Sequence, residues 1–583
     1  MKPALKRLFQ NDFFVALLFL LAYLCTNSYI YAWDDQHLEI PMLKHLIDPS
    51  LYKGDYYVES LSRNFSSFLY PILAKAITLK QVPAAYLLLF LLSRYAMFFW
   101  VYRLWQWLAG DKWSAAAAVL MFFLMGRTEE FLYRTFSHQE FCYIFMLGGF
   151  YYFYRERFLL AALLFGVGAN FNAIYNLFPM VYMLVFILLF SKDRFQVAFK
   201  SGAVFMLAAM PFLMWQIPHS LARAGRSAVP ASEWMPLYLI TCQQNFLFWT
   251  STLNEALRNV PFMLERLEPY LYLLALYVFL CFVEPRLRAD RKTHVLVVTA
   301  YVFIVLSFIF SYLYPSRFII DLNFLRNEQF ARFMLMGYAT LFACRQIKEG
   351  KGWTVLAAAL FFLLFGQFGQ ILSLIAHHLP DIAHGKKEFL PLFAVLRQYA
   401  YVPMVCLGLF IWLLYKPRLA WLRSALIIFP LLVAFVSYSQ FHYQYLQEKA
   451  HGAGFWQMYR AWVDIQNYVR THTPKDTLIL IPHNTDTGGF RIFSERKVLV
   501  CYRDCGIIGF DYNAAVEWNK RIKDIQEFKY MATENPQRAV FNAVMKYKVD
   551  YIVFMNYYQP QGDNPVLQKI YQNEVLALYK VNK

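Results

Sequence analysis

The stretch NDFFVALLFLLAYLCTNSYIYAWDDQHLEIP, residues 11–41, decides how the chain is organised. Residues 11–32 are almost entirely apolar, and a run of that length can cross a lipid bilayer as a helix. Two acids, Asp34 and Asp35, follow at once. Aromatic residues typical of a membrane–water boundary stand beside them: Tyr29, Tyr31 and Trp33. Because adjacent carboxylates repel each other and are costly at a membrane boundary, this pair indicates a functional site.

The composition of the whole chain points to many more spans of the same kind. Among its 583 residues 59% are hydrophobic and only 16% are charged, whereas average soluble proteins carry about 25% charged residues. With the first run, the apolar segments make about thirteen candidate spans. The further runs occupy residues 84–109, 113–126, 139–154, 158–169, 174–190, 201–217, 267–283, 294–314, 329–345, 353–375, 397–415 and 420–438. The sequence therefore predicts a polytopic α-helical membrane protein.

The distribution of positive charge predicts how these spans are oriented. The net charge is +18, and most Lys and Arg residues stand in short loops between apolar runs. Such loops are enriched in Lys and Arg on the cytoplasmic side of membranes. The charges therefore predict a cytoplasmic N-terminus and an external loop that carries Asp34 and Asp35. Because topology explains the positive charge, the charge does not indicate a nucleic-acid partner.

The composition changes near residue 440. Residues 1–440 form the predicted transmembrane domain, whose first external loop, residues 33–79, is acidic. Residues 441–583 combine short apolar strands with amphipathic helices, which predicts an extracytoplasmic α/β domain. Its strands are predicted within 472–482, 488–502, 536–554 and 576–581, and its helices at 513–533 and at the start of 536–554. The sequence leaves open whether Cys501 and Cys505 form a disulfide.

The first external loop holds the candidate catalytic residues. In DDQHLEIPMLKHLIDPSLYKGDYYVES, residues 34–60, the catalytic candidates are Asp34 and Asp35, and His37 is a candidate for binding the substrate or its phosphate. A carboxylate at this position can deprotonate an incoming hydroxyl or hold a divalent metal against a phosphate. The later acids of the loop fit the alternative of a solvated segment with Asp-Pro and Gly-Asp turns. These later acids are Asp48, Asp55 and Glu59.

Two further external stretches supply candidate binding residues. In GRTEEFLYRTFSHQEF, residues 126–141, the candidates Glu129, Glu130 and His138 can share a substrate or metal with the first loop, and local ion pairs are the alternative. In YPSRFIIDLNFLRNEQFARF, residues 314–333, arginine side chains can bind phosphate oxygens bidentately. These arginines are Arg317, Arg326 and Arg332, with Asp321 or Glu328 as competing structural partners. A third stretch, HHLPDIAH at residues 377–384, is predicted to be a solvated loop, with metal binding as the alternative.

The combination of these features resembles a known superfamily. A first span ending in Asp34-Asp35, the DPSLYKGD that follows at residues 48–55, many further spans and an external C-terminal α/β domain are similar to the GT-C glycosyltransferases. Such enzymes take a sugar from a polyprenyl-phosphate or polyprenyl-diphosphate carrier and add it to an acceptor outside the membrane. The resemblance implies Asp34 or Asp35 as catalytic base, Glu129 or Glu130 as a second acidic site, and a bacterial inner membrane as the location.

The function expected from this resemblance is inverting sugar transfer. The donor is a polyprenyl-phosphate-linked sugar, membrane lipid is a further partner, and the acceptor is a glycan, a lipid or a protein. A WWD-type signature of peptide-acceptor enzymes is absent from the sequence, which argues against an oligosaccharyltransferase. A divalent metal, Mg²⁺ or Mn²⁺, is an open possibility, with Asp35 and Glu130 as candidate ligands. The alternatives are a polysaccharide polymerase or ligase that uses lipid-linked glycans, and a non-enzymatic transporter or scaffold.

Overall fold

The computed structural model describes most of the chain outside one long segment. It covers residues 11–352 apart from 27–28, 127–130, 133 and 225–228, then 354, 355 and 358, and residues 455–582 apart from 483–488, 526–535 and 561–563. Several predictions lie outside the described residues: the acids Glu129 and Glu130, the cluster at 377–384, the spans at 397–415 and 420–438, and nearly all of 353–375.

The N-terminal part of the described chain is helical. Its helices are α1 (Asp12–Thr26), α2 (Gln36–Ile47), α3 (Tyr56–Asn64), α4 (Leu69–Ala76), α5 (Val82–Ala109), α6 (Lys112–Gly126), α7 (His138–Tyr154), α8 (Phe158–Ala169), α9 (Ala173–Phe190), α10 (Arg194–Ala208), α11 (Met210–Ala224), α12 (Ala231–Thr241), α13 (Leu253–Arg258), α14 (Val260–Val283), α15 (Pro285–Ala289), α16 (Arg291–Phe308), α17 (Arg317–Asp321) and α18 (Asn327–Lys348). Short 3-10 or π turns precede α5 and α18 and follow α16.

Four of the described helical stretches are long and apolar enough to cross a membrane, and by this measure the chain is an integral membrane protein. A fifth arises if α10 and the start of α11, which meet at an angle of 74°, count as one broken span. The four are Leu79–Ala109, Ala173–Phe190, Phe262–Val283 and Arg291–Leu313. The total of about thirteen spans therefore stays a prediction.

The first helix is shorter than its apolar run predicts. It has 15 residues and ends at Thr26, and residues 29–33 are not helical. The ring of Tyr29 lies 4.8 Å from that of Phe90, and the ring of Tyr31 lies 5.9 Å from that of Phe493. The aromatic residues expected at the membrane boundary thus pack against other protein side chains. Hydropathy alone cannot distinguish such packing from contact with the membrane.

The predicted first external loop is a layer of three helices, α2 to α4, rather than an irregular acidic segment. Its acids are partly structural. The side chain of Asp55, predicted to lie in a turn, caps α3 by accepting hydrogen bonds from the backbone N–H groups of Tyr57 and Val58.

The C-terminal part contains the predicted sheet domain. Its helices are α19 (Phe455–His472), α20 (Phe490–Ser494), α21 (Tyr512–Ile525) and α22 (Pro536–Met545), and its strands are β1 (Leu478–Leu480), β2 (Lys497–Val498), β3 (Tyr551–Met555), β4 (Leu567–Gln572) and β5 (Leu576–Val581). The strand order is β2-β1-β3-β5-β4. Strand β1 is parallel to β2 and β3, whereas β5 is antiparallel to β3 and β4.

Two details of this domain differ from the sequence prediction. The predicted strand region 488–502 begins with helix α20 and contributes only two residues to the sheet. Consecutive residues of α20 are buried, so this short helix lacks the polar face by which a helix is recognised in a sequence. Strand β4 was not predicted. It lies at the sheet edge with mostly exposed side chains, so it lacks the apolar alternation that signals a strand.

The C-terminal domain packs directly on α2 and on the segment before it. Ile30 belongs to the same buried cluster as Trp462 and Phe490, and Trp33 packs against that cluster. The Nζ of Lys44 donates to the carbonyl of Ile492 at 2.8 Å. These contacts hold Asp34 and Asp35 at the boundary between the two parts of the chain.

Candidate functional site

A sharp turn ahead of α2 places Asp34 and Asp35. The side-chain amide of Gln36 holds this turn: its oxygen accepts from the N–H of Ala32 at 2.7 Å, and its nitrogen donates to the carbonyl of Phe136 at 2.9 Å. Asp34 has a φ of 54°, a left-handed conformation that aspartate tolerates better than most residues. Asp35 is the N-cap of α2 and makes no side-chain capping bond, so its carboxyl group is available for other interactions.

The C-terminal domain supplies a cation to Asp34. The Nη1 of Arg503 lies 3.5 Å from the Oδ1 of Asp34, and the side chains are 39% and 25% exposed. Asp34 is therefore a carboxylate with a cationic partner, and both groups remain accessible to a ligand. Arg503 is not predictable from the sequence, because nothing in the local pattern CYRDC indicates a partner so distant along the chain.

Asp35 differs from its neighbour in its electrostatics. Burial raises the pKa of Asp35 to about 8, and the negative charges of Asp34 and Glu39 act in the same direction against smaller opposing effects of His138 and Arg503. A carboxyl group with that pKa is mostly protonated near neutral pH. Asp35 can therefore donate a hydrogen bond where Asp34 accepts one, which is the division of roles that paired catalytic carboxyls adopt.

Glu39 and His138 form a hydrogen-bonded pair beside the two aspartates. The Nδ1 of His138 lies 2.7 Å from the Oε1 of Glu39, and the side-chain amide of Asn172 lies 3.3 Å from its Nε2. Burial lowers the pKa of His138 to about 4 and raises that of Glu39 to about 8. Burial thus disfavours the charged form of each group, and the hydrogen bond between them joins α2 to α7.

The sequence explains the position of His138. Ser137 caps α7, and its N–H and hydroxyl both donate to the carboxylate of Glu140 at 2.6 Å in a capping box. This Ser-x-x-Glu pattern starts the helix at His138 and fixes that side chain at its first position. Glu140 also lies 3.6 Å from the guanidinium of Arg94, an ion pair that anchors the start of α7 to α5.

His37, predicted to bind substrate, lies in the contact between α2 and the C-terminal domain. His37 is 5% exposed. The backbone of Gly489 packs so closely against it that a Cβ atom built on Gly489 would lie only 3.3 Å from the Cα of His37. Burial lowers the pKa of His37 well below its ordinary value, and the charge of Arg503 acts in the same direction. The side chain is therefore neutral, and its evident role is to pack α2 against the domain.

Among the three predicted arginines, Arg326 is the one that the structure brings towards the acids. Its guanidinium lies over the ring of Tyr175, 5.5 Å from the centroid. After burial, the positive charge of Arg326 contributes to the lowered pKa of His138. Arg326 is thus within electrostatic reach of the Glu39–His138 pair.

The other two arginines have protein partners of their own. The guanidinium of Arg317 lies 4.8 Å from the ring centroid of Tyr512 in the C-terminal domain. The Nε of Arg332 donates to Glu328 at 2.6 Å, one turn away on α18, so Glu328 is the structural partner that the sequence left open. Asp321, the other predicted partner, accepts a hydrogen bond from the hydroxyl of Tyr238 at 2.7 Å.

The candidate metal ligands are Asp35 and Glu130. Among the described residues no three His, Cys, Asp or Glu side chains are grouped so that they could hold a metal ion. Glu130 lies outside the described residues. Cys501 and Cys505, whose pairing the sequence left open, are not joined by a disulfide.

A buried ion cluster joins the first loop to the C-terminal domain. The Nε of Arg491 donates to Asp55 at 2.7 Å, and its Nη1 donates to Asp504 at 2.8 Å. Arg491 is 3% exposed, and Asp504 directly follows Arg503. The cluster therefore fixes the segment that presents Arg503 to Asp34.

The raised pKa of Asp35 predicts a pH-dependent stability. A carboxyl group whose pKa rises on folding stabilises the folded state most below about pH 4, and this contribution is lost as the pH rises towards about 8. The variant Asp35→Asn has no ionisable group at this position, so it does not lose this stability as the pH rises. Its Tm relative to wild type is therefore expected to increase between about pH 5 and pH 8, as measured by thermal unfolding of the full chain in detergent.

Asp48→Asn is the matched control for this measurement. Asp48 accepts two hydrogen bonds from Ser50, and these lower its pKa. Its Tm difference from wild type is expected to stay flat over the same range. A flat difference for Asp35→Asn as well would show that Asp35 ionises normally in the folded protein.

One segment of the chain matches a protein family, and two solved structures are similar to the chain. Residues 460–525 match a family described as a domain of unknown function (DUF6798), and this segment includes Arg491, Arg503 and Asp504. No curated protein matches the chain.

Two solved structures of ArnT from Cupriavidus metallidurans, a GT-C glycosyltransferase, are similar to the chain. The one bound to undecaprenyl phosphate has 12% sequence identity and a TM-score of 0.45, and the match covers 99% of this chain and 98% of that one. The apo structure has 12% identity and a TM-score of 0.42, with coverages of 97% and 96%.

Proposed function

We propose that the chain is a membrane glycosyltransferase that moves a sugar from a polyprenyl-phosphate or polyprenyl-diphosphate carrier to an acceptor at the extracytoplasmic face. The observation that carries the proposal is the position of Asp34. It is an accessible carboxylate, 3.5 Å from the guanidinium of Arg503 and next to the half-buried Asp35. A base for a hydroxyl group and a cation for a phosphate therefore lie side by side.

The proposed reaction follows from the charges of these groups. The acceptor hydroxyl attacks the anomeric carbon of the donor while the bond from that carbon to the phosphate oxygen breaks, which inverts the configuration. Asp34 takes the hydroxyl proton, and the electron pair of the broken bond leaves on the phosphate. The positive charge of Arg326, which acts on His138, stabilises the leaving phosphate. Asp35 in its protonated form donates a hydrogen bond to one of the reacting oxygens.

A metal has no step in this proposal. If Mg²⁺ or Mn²⁺ binds, Asp35 and Glu130 are the candidate ligands, and the metal would neutralise negative charge on the phosphate. The acceptor class, whether glycan, lipid or protein, is likewise left open by the geometry of the described residues.

A second candidate is a polysaccharide polymerase or ligase that joins lipid-linked glycans. Arg326 on Tyr175 and Arg317 on Tyr512 favour it, because such enzymes rely on external arginines. The two candidates differ in which variant stops the reaction. Glycosyl transfer requires the carboxylate of Asp34, whereas a polymerase or ligase requires the arginines and tolerates its loss.

Comparing Arg326→Ala with Asp34→Asn in one assay tests the proposal. Loss of one cation near the leaving phosphate is expected to lower transfer by about 10²-fold and to leave some activity, whereas loss of the base has the larger effect. The measurement is the glycan profile of cells that lack the gene and carry each variant. An inactive Arg326→Ala together with an active Asp34→Asn would reject the glycosyltransferase in favour of the polymerase or ligase.

A further inference from the structure

Two arginines of the C-terminal domain stand close together in sequence but in opposite environments. The side chain of Arg491 is 4% exposed and lies between two carboxylates at 2.7 and 2.8 Å. The side chain of Arg503 is 39% exposed, and its separation from Asp34 is 3.5 Å. The guanidinium of Arg491 is enclosed by its protein partners, whereas that of Arg503 is accessible to a ligand.

The hydrogen bonds around Arg491 show that the cluster is complete. Its Nη2 also donates to Asp55, to Asp504 and to the carbonyl of Val498 at 3.1–3.2 Å. The same carboxylates accept from the backbone N–H groups of Val498 and Cys501, both at 3.1 Å. A guanidinium with this many partners holds the backbone from 498 to 504 in one position relative to α3.

The side chain of Arg503 is therefore attached to the backbone directly beside a fixed residue, Asp504. Asp504 is 3% exposed and is held by Arg491, so the backbone that carries Arg503 cannot move freely. The long Arg503 side chain itself is not buried in that cluster, and it reaches the carboxylate of Asp34. A guanidinium on a fixed backbone beside a carboxylate can exchange that carboxylate for a phosphate oxygen, since both accept the same bidentate hydrogen bonds.

We infer that Arg503 binds the phosphate of the lipid donor and releases Asp34 from their ion pair when it does so, and that Arg491 is the positioning residue that holds Arg503 in reach through Asp504. This inference rests on the proposed function. In the free protein the guanidinium of Arg503 is paired with the carboxylate of Asp34. An arriving polyprenyl phosphate competes for the guanidinium, and the carboxylate of Asp34 then becomes available to the acceptor hydroxyl. The C-terminal domain thereby contributes directly to donor binding.

Binding of undecaprenyl phosphate to the full chain in an uncharged detergent tests the inference. Undecaprenol, which lacks the phosphate, and inorganic phosphate, which lacks the lipid, are the comparison ligands. Arg503→Ala is expected to weaken binding of undecaprenyl phosphate by about tenfold or more, with no change for undecaprenol. Arg503→Lys, which retains the charge and loses the fork, is expected to fall between the two. Lys520→Ala removes a cation that is 60% exposed on α21 and serves as the control.

The positioning role of Arg491 has a separate readout. Asp504→Asn and Arg491→Lys are both expected to weaken phosphate-dependent binding in the wild-type background. In the Arg503→Ala background neither is expected to weaken it further, because the residue that they position is gone. Arg491→Lys keeps a buried cation and serves if Asp504→Asn does not fold. A merely structural role would lower the Tm of these variants without this loss of affinity, and that outcome would overturn the assignment of Arg491.

The outcomes separate this inference from the function on which it rests. If the wild-type chain binds undecaprenyl phosphate no better than undecaprenol, the proposed lipid donor is wrong. If the wild type prefers the phosphate and Arg503→Ala binds it equally well, the donor stands and the role of Arg503 is refuted. If inorganic phosphate binds as tightly as the lipid, the site holds a free anion and the inference is again overturned.

Discussion

Replacing Asp34 with asparagine is expected to lower the rate of sugar transfer by about 10²- to 10⁴-fold, the usual contribution of a positioned general base. The substitution keeps the shape of the side chain, and the amide oxygen can still accept a hydrogen bond from Arg503. What is lost is the ability to accept the proton of the acceptor hydroxyl. The measurement is the rate at which the purified full chain consumes a polyprenyl-phosphate-linked sugar in the presence of acceptor.

Asp48→Asn is the control for this experiment. Asp48 lies in the same predicted loop, accepts hydrogen bonds from Ser50 in an exposed position, and is 3.9 Å from Lys475. Its replacement is expected to leave the rate unchanged. Undiminished transfer by a folded Asp34→Asn protein would remove Asp34 from the mechanism and leave Asp35 as the remaining candidate for the base.

Replacing Arg491 with alanine is expected to have the largest effect on stability. Asp55 and Asp504 would then remain as two buried carboxylates without their cation, and breaking a buried ion cluster in this way costs about 3–5 kcal/mol. The chain is expected to lose that amount from its free energy of unfolding, together with the attachment of the C-terminal domain to α3. Denaturant unfolding of the full chain in detergent measures the first effect, and limited proteolysis of the domain measures the second.

Lys520→Ala again provides the comparison. Its ammonium group lies 3.9 Å from Glu517 on an exposed face of α21, and exposed pairs of this kind contribute about 0–1 kcal/mol. A loss of unfolding free energy for Arg491→Ala within that small range would show that the cluster does not hold the domain in place.

Much of the architecture is predictable because it is written in local patterns. The long apolar runs form helices such as Ala173–Phe190 and Arg291–Phe308, and the short apolar run at residues 576–581 forms β5. Even the position of His138 follows from a local Ser-x-x-Glu pattern, which is the sequence signature of a capping box. The acidic pair after the first run is likewise visible in the sequence, because two adjacent carboxylates in an apolar setting stand out.

The rest depends on contacts between residues that are distant in the chain. Asp55 and Arg491 are 436 positions apart, so no local pattern can show that they form an ion pair. The same applies to Arg503 and Asp34, whose proximity depends on how the C-terminal domain docks on α2. The length of α1 was overestimated for a related reason: an aromatic side chain has the same hydropathy whether it contacts lipid or, as Tyr31 does, another ring of the protein.

Mass spectrometry of lipid-linked sugars from cells that carry Asp34→Asn as their only copy tests the central claim most directly. Cells with wild type or with Asp48→Asn serve as the references. The account predicts that a polyprenyl-phosphate-linked sugar accumulates in the Asp34→Asn cells and that the corresponding glycan modification disappears. Unchanged levels of both the lipid-linked sugar and the glycan, in cells that contain the folded variant in their membranes, would contradict it.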